Sequence, residues 1–416
     1  MPVSTRAARR SPGTDLQAMA PAQTLAGMCA TAVIAYCSYA MCRTPILPLF
    51  ARDLGADPPL VGLVMAASTV AGVLLKLPAG ALSDTMGRRP LLLAGALVFA
   101  ALPFGYLWVA SLGVLAALRF VHGSATAIFG PVASATISDV APSARRGTWL
   151  STYATLQGTG QALGPVLAGY LLVWGGFGLV FGVAAAIGLS APLIIGRLVP
   201  IPAASGGGRV GRAALAQGVL EVAREPLVLL TSTAQAAMFA LSGTLNAFLP
   251  LYASETIGVT GAGLGWLFGV QTLTTLAMRP VTGMLSDRAG RRGVIVAGLA
   301  VCCGAVLLVS TATTLRSLLP SVMLFAAGVA TTSSAASAFI TDMTRRTRYG
   351  AAHGVFGTIY DIGDAGGPIT AGLLVAVLGY SRTFQIMAGV GATVMLLFAW
   401  GSRRIPNPVN RPVLDM

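Results

Sequence analysis

Charge is what this chain most lacks. Asp, Glu, Lys and Arg make up 10% of its 416 residues, against 55% apolar residues and a mean hydropathy of +0.78. A water-soluble protein of this length needs a far more charged surface, so a soluble enzyme or soluble binding domain is excluded and an integral membrane protein is expected. Acids are scarcer than bases, 13 against 27, leaving a net charge of +14. That excess does not predict a nucleic-acid partner, because the basic residues fall in short clusters between long apolar runs.

Reactive groups are few as well. The five cysteines (Cys29, Cys37, Cys42, Cys302 and Cys303) are odd in number and all lie in apolar runs, so no disulfide framework is expected. The two histidines, His122 and His353, stand alone, and no metal-ligand spacing or metal site is expected. There is no Gly-x-x-x-x-Gly-Lys-Ser/Thr loop and no Ser/His/Asp set. No enzyme and no bound cofactor are expected, and any uphill work must draw on a gradient. One charge moving down 100 mV supplies about 2.3 kcal/mol.

Long apolar runs are abundant. Windows of roughly 20 residues predict helical spans near 24–50, 59–79, 90–110, 112–137, 148–173 and 177–198. A second set falls near 226–252, 260–282, 293–313, 315–340, 351–378 and 380–402. Helices are expected because an open sheet edge cannot sit in lipid. The first apolar run follows a basic, polar stretch and is too long for a signal-peptide core, so it is expected to be retained. The predicted organisation is a tail at 1–23, a six-helix bundle at 24–198, a Pro- and Gly-bearing linker at 199–225, a second six-helix bundle at 226–402 and a tail at 403–416. Twenty of the 27 basic residues fall in the tails, the linker and alternate loops; the opposite loops carry Arg52, Arg316 and Arg382. The positive-inside rule then puts both termini, the linker and the arginine-rich loops in the cytoplasm, with the plasma (inner) membrane as the expected location.

The chain is also written twice. Gly80-Ala-Leu-Ser-Asp84-Thr-Met-Gly87-Arg88-Arg89 returns 203 residues later as Gly283-Met-Leu-Ser-Asp287-Arg-Ala-Gly290-Arg291-Arg292. At the same offset Lys76 falls on Arg279, Asp139 on Asp342, and Gly160-Gln-Ala-Leu-Gly164-Pro165-Val-Leu-Ala168-Gly169 on Gly363-Asp364-Ala-Gly-Gly367-Pro368-Ile-Thr-Ala371-Gly372. Spans one and seven align through Pro48-Leu-Phe-Ala and Pro250-Leu-Tyr-Ala with a one-residue slip. Six plus six helices in one orientation predict parallel repeats around a central cavity.

Two copies of Gly-x-Leu-x-Asp-x-x-Gly-Arg-Arg, twelve predicted spans and a central linker resemble the major facilitator superfamily over nearly the whole chain. That resemblance implies a secondary transporter working by alternating access. It also implies a cytoplasmic latch, with Asp84 near the start of span eleven (351–353) and Arg88 near Asp139. By the repeat, Asp287 would approach Gly147–Thr148 and Arg291 would approach Asp342. Gly160, Gly164, Pro165 and Gly169 resemble the family's antiporter motif, with Ala168 in place of one glycine; Gly367 and Pro368 repeat its centre. Ordinary small-residue packing explains the same glycines.

Asp361 and Asp364 lie roughly 15–20 Å into span eleven at 1.5 Å per residue, and their i, i+3 spacing puts both on one helix face. Acids at that depth need a cation, a proton or a water-filled cavity, and suit a proton carrier. The repeat places Gly158 and Gln161 at the equivalent positions. Arg119 resembles the family's span-four Arg-x-x-x-Gly, which implies proton coupling, and is expected as counter-charge to a carboxylate or contact for an anionic substrate. Arg43 is expected to line the cavity with Tyr36 and Tyr39 or to reach outward. Lys76 and Arg279 are expected at the cytoplasmic mouth, and Asn246, Gln235 and Gln271 in the cavity or an interface. The expected partners are a small-molecule substrate, protons and the lipid bilayer, with the chain a monomer. The reading is proton-coupled efflux by antiport; the alternatives are proton symport or facilitated uptake of a nutrient, and a non-transporting membrane sensor.

Overall fold

The structure is a computed structural model that describes residues 12–199, 224–344 and 349–404, with side chains described except at 12–20, 76–85, 198, 349–351 and 404. The tail at 1–11, the linker at 200–223 and the residues beyond 404 lie outside the described residues. All regular structure among the described residues is helical: α1 (Pro12–Met41), α2 (Ile46–Asp53), α3 (Pro58–Met86), α4 (Arg88–Tyr106), α5 (Leu112–Val140), α6 (Arg146–Leu198), α7 (Pro226–Leu251), α8 (Gly261–Ala289), α9 (Arg291–Thr311), α10 (Leu315–Met343) and α11 (Tyr349–Arg404). Nine stretches among the described residues are long and apolar enough to cross a membrane. The two longest helices each break once, α6 at Gly175–Gly176 and α11 at Gly379.

The duplication is written into the backbone. Among the described residues those with positive φ are all glycines and form three pairs 203 residues apart: Gly55 and Gly258 (85° and 76°), Gly87 and Gly290 (89° and 88°), Gly176 and Gly379 (67° and 75°). This left-handed region is open to glycine without steric cost, so each pair marks a turn copied between halves. Helix starts are copied as well. Asp57 and Thr260 cap α3 and α8, and Ser111 and Thr314 cap α5 and α10, each side chain accepting from a backbone N–H three residues on. The one-residue slip in the sequence also has a place. Pro48 to Gly55 spans one residue fewer than Pro250 to Gly258, and the second copy holds a π-helical turn at Tyr252–Thr256 that takes up the difference.

Within the first half α1 packs along α6, and within the second α7 packs along α11; the halves meet where α3 lies on α11 and α6 on α8. These contacts use glycine. A side chain on Gly160 would strike the carbonyl of Val33, and one on Gly363 that of Ala236, inside the two halves. Between the halves, Gly62 faces the carbonyl of Pro368, Gly372 that of Pro58, and Gly169 that of Gly261. Such close approach gains van der Waals contact that lipid cannot replace. One apolar cluster, around Tyr36, Phe99 and Phe129, belongs to the first half. The other joins the halves, seating Ile46, Leu47 and Phe50 against Leu245, Phe248 and Leu251.

Candidate functional site

A cavity of about 350 Å³ lies between the halves, within the range of small-molecule sites. Tyr39, Arg43 and Gln161 line it from the first half; Asn246, Gln271 and Arg279 line it from the second. Its polar lining comes from α1 and the turn that follows it, and from α6, α7 and α8, which turn their less apolar faces inward.

The two intramembrane acids stand at different places. Asp364 accepts a hydrogen bond from Thr69 Oγ1 (2.9 Å) and lies 3.9 Å from Arg43 Nη2; both partners belong to the first half. Asp361 is buried, 7% exposed. Arg119, expected as counter-charge to a carboxylate or contact for an anionic substrate, does not face Asp364; the cation that does is Arg43. Arg119 is fully buried inside the first half, donating from Nη2 to the Tyr39 hydroxyl (3.2 Å) with its guanidinium 5.1 Å from the Tyr39 ring centroid. Its Nε and Nη1 have no hydrogen-bond partner among the described residues. The reason is direction: α5 packs on α3 and α4, so the side chain enters the first bundle and not the seam.

His122 is not solitary either. It meets the Tyr106 hydroxyl through Nδ1 (3.2 Å) and stands edge-on to Tyr39, 4.9 Å between ring centroids. One α1 tyrosine thus joins Arg119, His122 and the cavity. Tyr36 packs against Phe99 and Phe129 in the first-half core and is not among the cavity residues. Gln235 donates to Ser333 within the second half.

On the arginine-rich face the two loop motifs repeat their contacts. Arg88 Nε donates to Asp139 (3.2 Å) and Arg291 Nε to Asp342 (2.9 Å). The second arginine of each motif reaches a backbone carbonyl near the end of its own half, Arg89 that of Gly196 (2.7 Å) and Arg292 that of Ser402 (2.6 Å). Asp287 is exposed and pairs with Arg291, one turn away; Gly147 and Thr148 are exposed, so the contact expected between them is not made in this conformation. Gly80 lies within α3, and the side chains of Lys76 and Asp84, with that of position 351 in the expected contact, lie outside what is described.

The opposite face is fastened. Arg52 Nε donates to Glu255 Oε1 (3.0 Å), and the Tyr380 hydroxyl donates to Glu255 Oε2 (2.8 Å). Arg52 and Glu255 are 203 residues apart, so a residue and its repeat equivalent meet between the halves with opposite charge. In the sequence Arg52 stands only as a loop charge, and the repeat offset is the signal that marks its pair with Glu255. Thr69, Tyr106 and the cavity glutamine Gln157 are marked by no motif.

The Major Facilitator Superfamily profile matches residues 28–260 and 231–413. An uncharacterized MFS-type transporter of Methanocaldococcus jannaschii is 23% identical over 354 residues, covering 83% of this chain and 91% of its own length. The quinolone resistance protein NorA of Staphylococcus aureus strain MRSA252 is 25% identical over 127 residues, 30% of this chain and 33% of its own. Among solved structures, a bacterial homolog of the human lysosomal transporter Spinster, inward-facing and unoccupied, superimposes with a TM-score of 0.79 at 15% identity. It covers 92% of this chain and 97% of its own, a likeness that speaks for the fold.

Proposed function

This chain belongs to the Major Facilitator Superfamily, and from that premise we propose that this multi-pass membrane transporter exports a small molecule in exchange for protons. With α1 and α2 counted as one crossing and α6 and α11 each as two, its helices make twelve crossings in two bundles of six. In this reading the arginine-rich face is cytoplasmic, which the distribution of basic residues supports, and the conformation described is the one closed on the outer side by Arg52, Glu255 and Tyr380.

The observation that carries the reading is Asp364, a carboxylate of one half held by Thr69 and Arg43 of the other beside the cavity. Ionised, it attracts Arg43 in a low-dielectric setting where that attraction is strong. Protonated, it loses the charge that Arg43 answers, so a proton changes how firmly the halves are joined at the cavity and biases their relative position. The partial likeness to a quinolone resistance protein favours export over uptake, and the Gly-Pro run at Gly164–Pro165 favours exchange. On outward opening, Asp287 reaches the start of α6 and Asp84 the start of α11, completing the cytoplasmic latch begun by Arg88–Asp139 and Arg291–Asp342.

Purified protein in proteoliposomes with an imposed pH gradient tests this. A quinolone, or the carboxylate, amide and amine probes described below, is supplied while a trapped dye reports lumenal pH. Antiport moves probe and protons in opposite directions. Movement in the same direction reverses the reading to symport, and flux indifferent to the gradient removes the coupling.

A further inference from the structure

Two arginines face the cavity and, among the described residues lining it, no Asp or Glu does. Arg43 comes from the first half and Arg279 from the second, so both walls are positive. The carboxylate nearest to Arg43, Asp364, is 3.9 Å away, beyond hydrogen-bond length, and takes its short hydrogen bond from Thr69. Arg43 Nε is buried with no hydrogen-bond partner. A guanidinium offers five N–H donors in a planar fork suited to a carboxylate, and here donors are to spare. Arg279 has no carboxylate within 4.0 Å among the described residues.

A third cation stands behind the wall. Arg119 is fully buried and held by neutral groups, with two of its nitrogens unpartnered. Tyr39, which it contacts by hydroxyl and ring face, also lines the cavity. A buried charge without an opposite charge is costly, and its field extends through a low-dielectric wall with little screening. A cation entering the cavity would meet three guanidinium groups; an anion would be attracted by all three.

From this we infer that the cavity takes a small organic anion, a molecule carrying a carboxylate on a compact body with hydrogen-bonding groups. Arg43 and Arg279 bind the carboxylate from the two halves. Gln161, Gln271 and Asn246 bind the body. Ligand and Asp364 then compete for Arg43, so the anion releases the acid that the proton would occupy. The inference rests on the transport reading for its setting, but binding is measured without flux.

The test uses full-length protein in lipid nanodiscs and three matched probe sets, each a carboxylate, its primary amide and the corresponding amine, on 4-hydroxyphenyl, indole and hexyl scaffolds. Thermal stabilisation is measured at neutral pH. Carboxylates are expected to raise the unfolding temperature more than their amides, and amines not at all. Arg43→Gln and Arg279→Gln should each weaken the carboxylate response about tenfold, as for loss of a charge-assisted hydrogen bond, while Arg43→Lys keeps part of it. Arg382→Gln, an equal charge change just past the α11 break at Gly379 and outside the cavity lining, should leave it unchanged. Should Arg43→Gln fail to fold, Arg279→Gln, Arg43→Lys and the loss of wild-type response in high salt decide the matter. Stabilisation by amines equal to that by carboxylates overturns the inference; so does no response to any carboxylate, or a carboxylate response untouched by the arginine substitutions. Amine flux in the pH-gradient experiment would leave antiport standing and remove the anion site, whereas carboxylate binding without gradient-dependent flux would do the reverse.

Discussion

The two halves of the molecule share their turns and differ in their charges. Gly55, Gly87 and Gly176 bend the first half where Gly258, Gly290 and Gly379 bend the second. Within the bundles, though, the first half carries the cations Arg43 and Arg119, while the second carries the acids Asp361 and Asp364 beside its own arginine, Arg279. Duplication has kept the backbone and split the electrostatics, so that an acid of one half faces a cation of the other beside the cavity. The same split appears at the opposite face, where Arg52 meets Glu255 across one repeat length. A symmetric charge pattern would repel at a pseudo-two-fold axis; a complementary one attracts, and can be switched off by a proton or a competing ion.

Removing the difference at its centre should have the largest effect. Asp364→Asn keeps the shape and the hydrogen bond to Thr69 but removes the charge facing Arg43. Accumulation driven by a pH gradient should be abolished while substrate counterflow persists; undiminished gradient-driven accumulation would sink the role of Asp364. The shared packing can be broken next. Gly363→Leu drives a side chain into α7 and should cost about 1–3 kcal/mol in unfolding free energy, the usual range for overpacking, whereas Gly113→Ala, with open space around it, should cost little. Equal thermal shifts for the two would contradict the packing described.

Arg119, fully buried against neutral groups, offers a sharper test. Tyr39→Phe deletes the hydroxyl that Arg119 donates to and should destabilise by about 1–3 kcal/mol, the cost of a buried unsatisfied group. Arg119→Met removes the burdensome charge and should unfold no earlier than wild type. A strongly destabilised Arg119→Met would show that the arginine has a partner not apparent in this conformation. The smallest effect belongs to the opposite face. Arg52 and Glu255 are both more than a third exposed, so Glu255→Gln should change stability by under about 1 kcal/mol. Its effect should appear in conformation, as faster labelling of a cysteine placed at Leu47; unchanged labelling would mean the pair does not hold that face shut.

Much of the frame was legible in the sequence, because apolar length, loop charge and a 203-residue echo are properties of the chain read in order. The Arg88–Asp139 and Arg291–Asp342 pairs followed from a motif whose residues do similar work in both copies. The site was less legible. Arg119, Tyr106 and His122 lie on α4 and α5, and their convergence on Tyr39 of α1 depends on how three helices are rotated about their axes. Arg43 rather than Arg119 faces Asp364 for the same reason. The lining amides Gln157, Gln161 and Gln271 carry no spacing that separates them from polar residues elsewhere in the helices.

The glycine contacts between α3 and α11, and between α6 and α8, carry a further consequence. Interlocked side chains behave like gear teeth: ridges seated in grooves resist sliding until they climb out. Where Gly62 faces the carbonyl of Pro368, Gly372 that of Pro58 and Gly169 that of Gly261, the facing surfaces are bare main chain. Such surfaces have no teeth to disengage. At these points the halves meet as on plain bearings, free to turn by small angles with no side chains to disengage, and an added methyl group there would act as grit, slowing turnover even where the protein still folds.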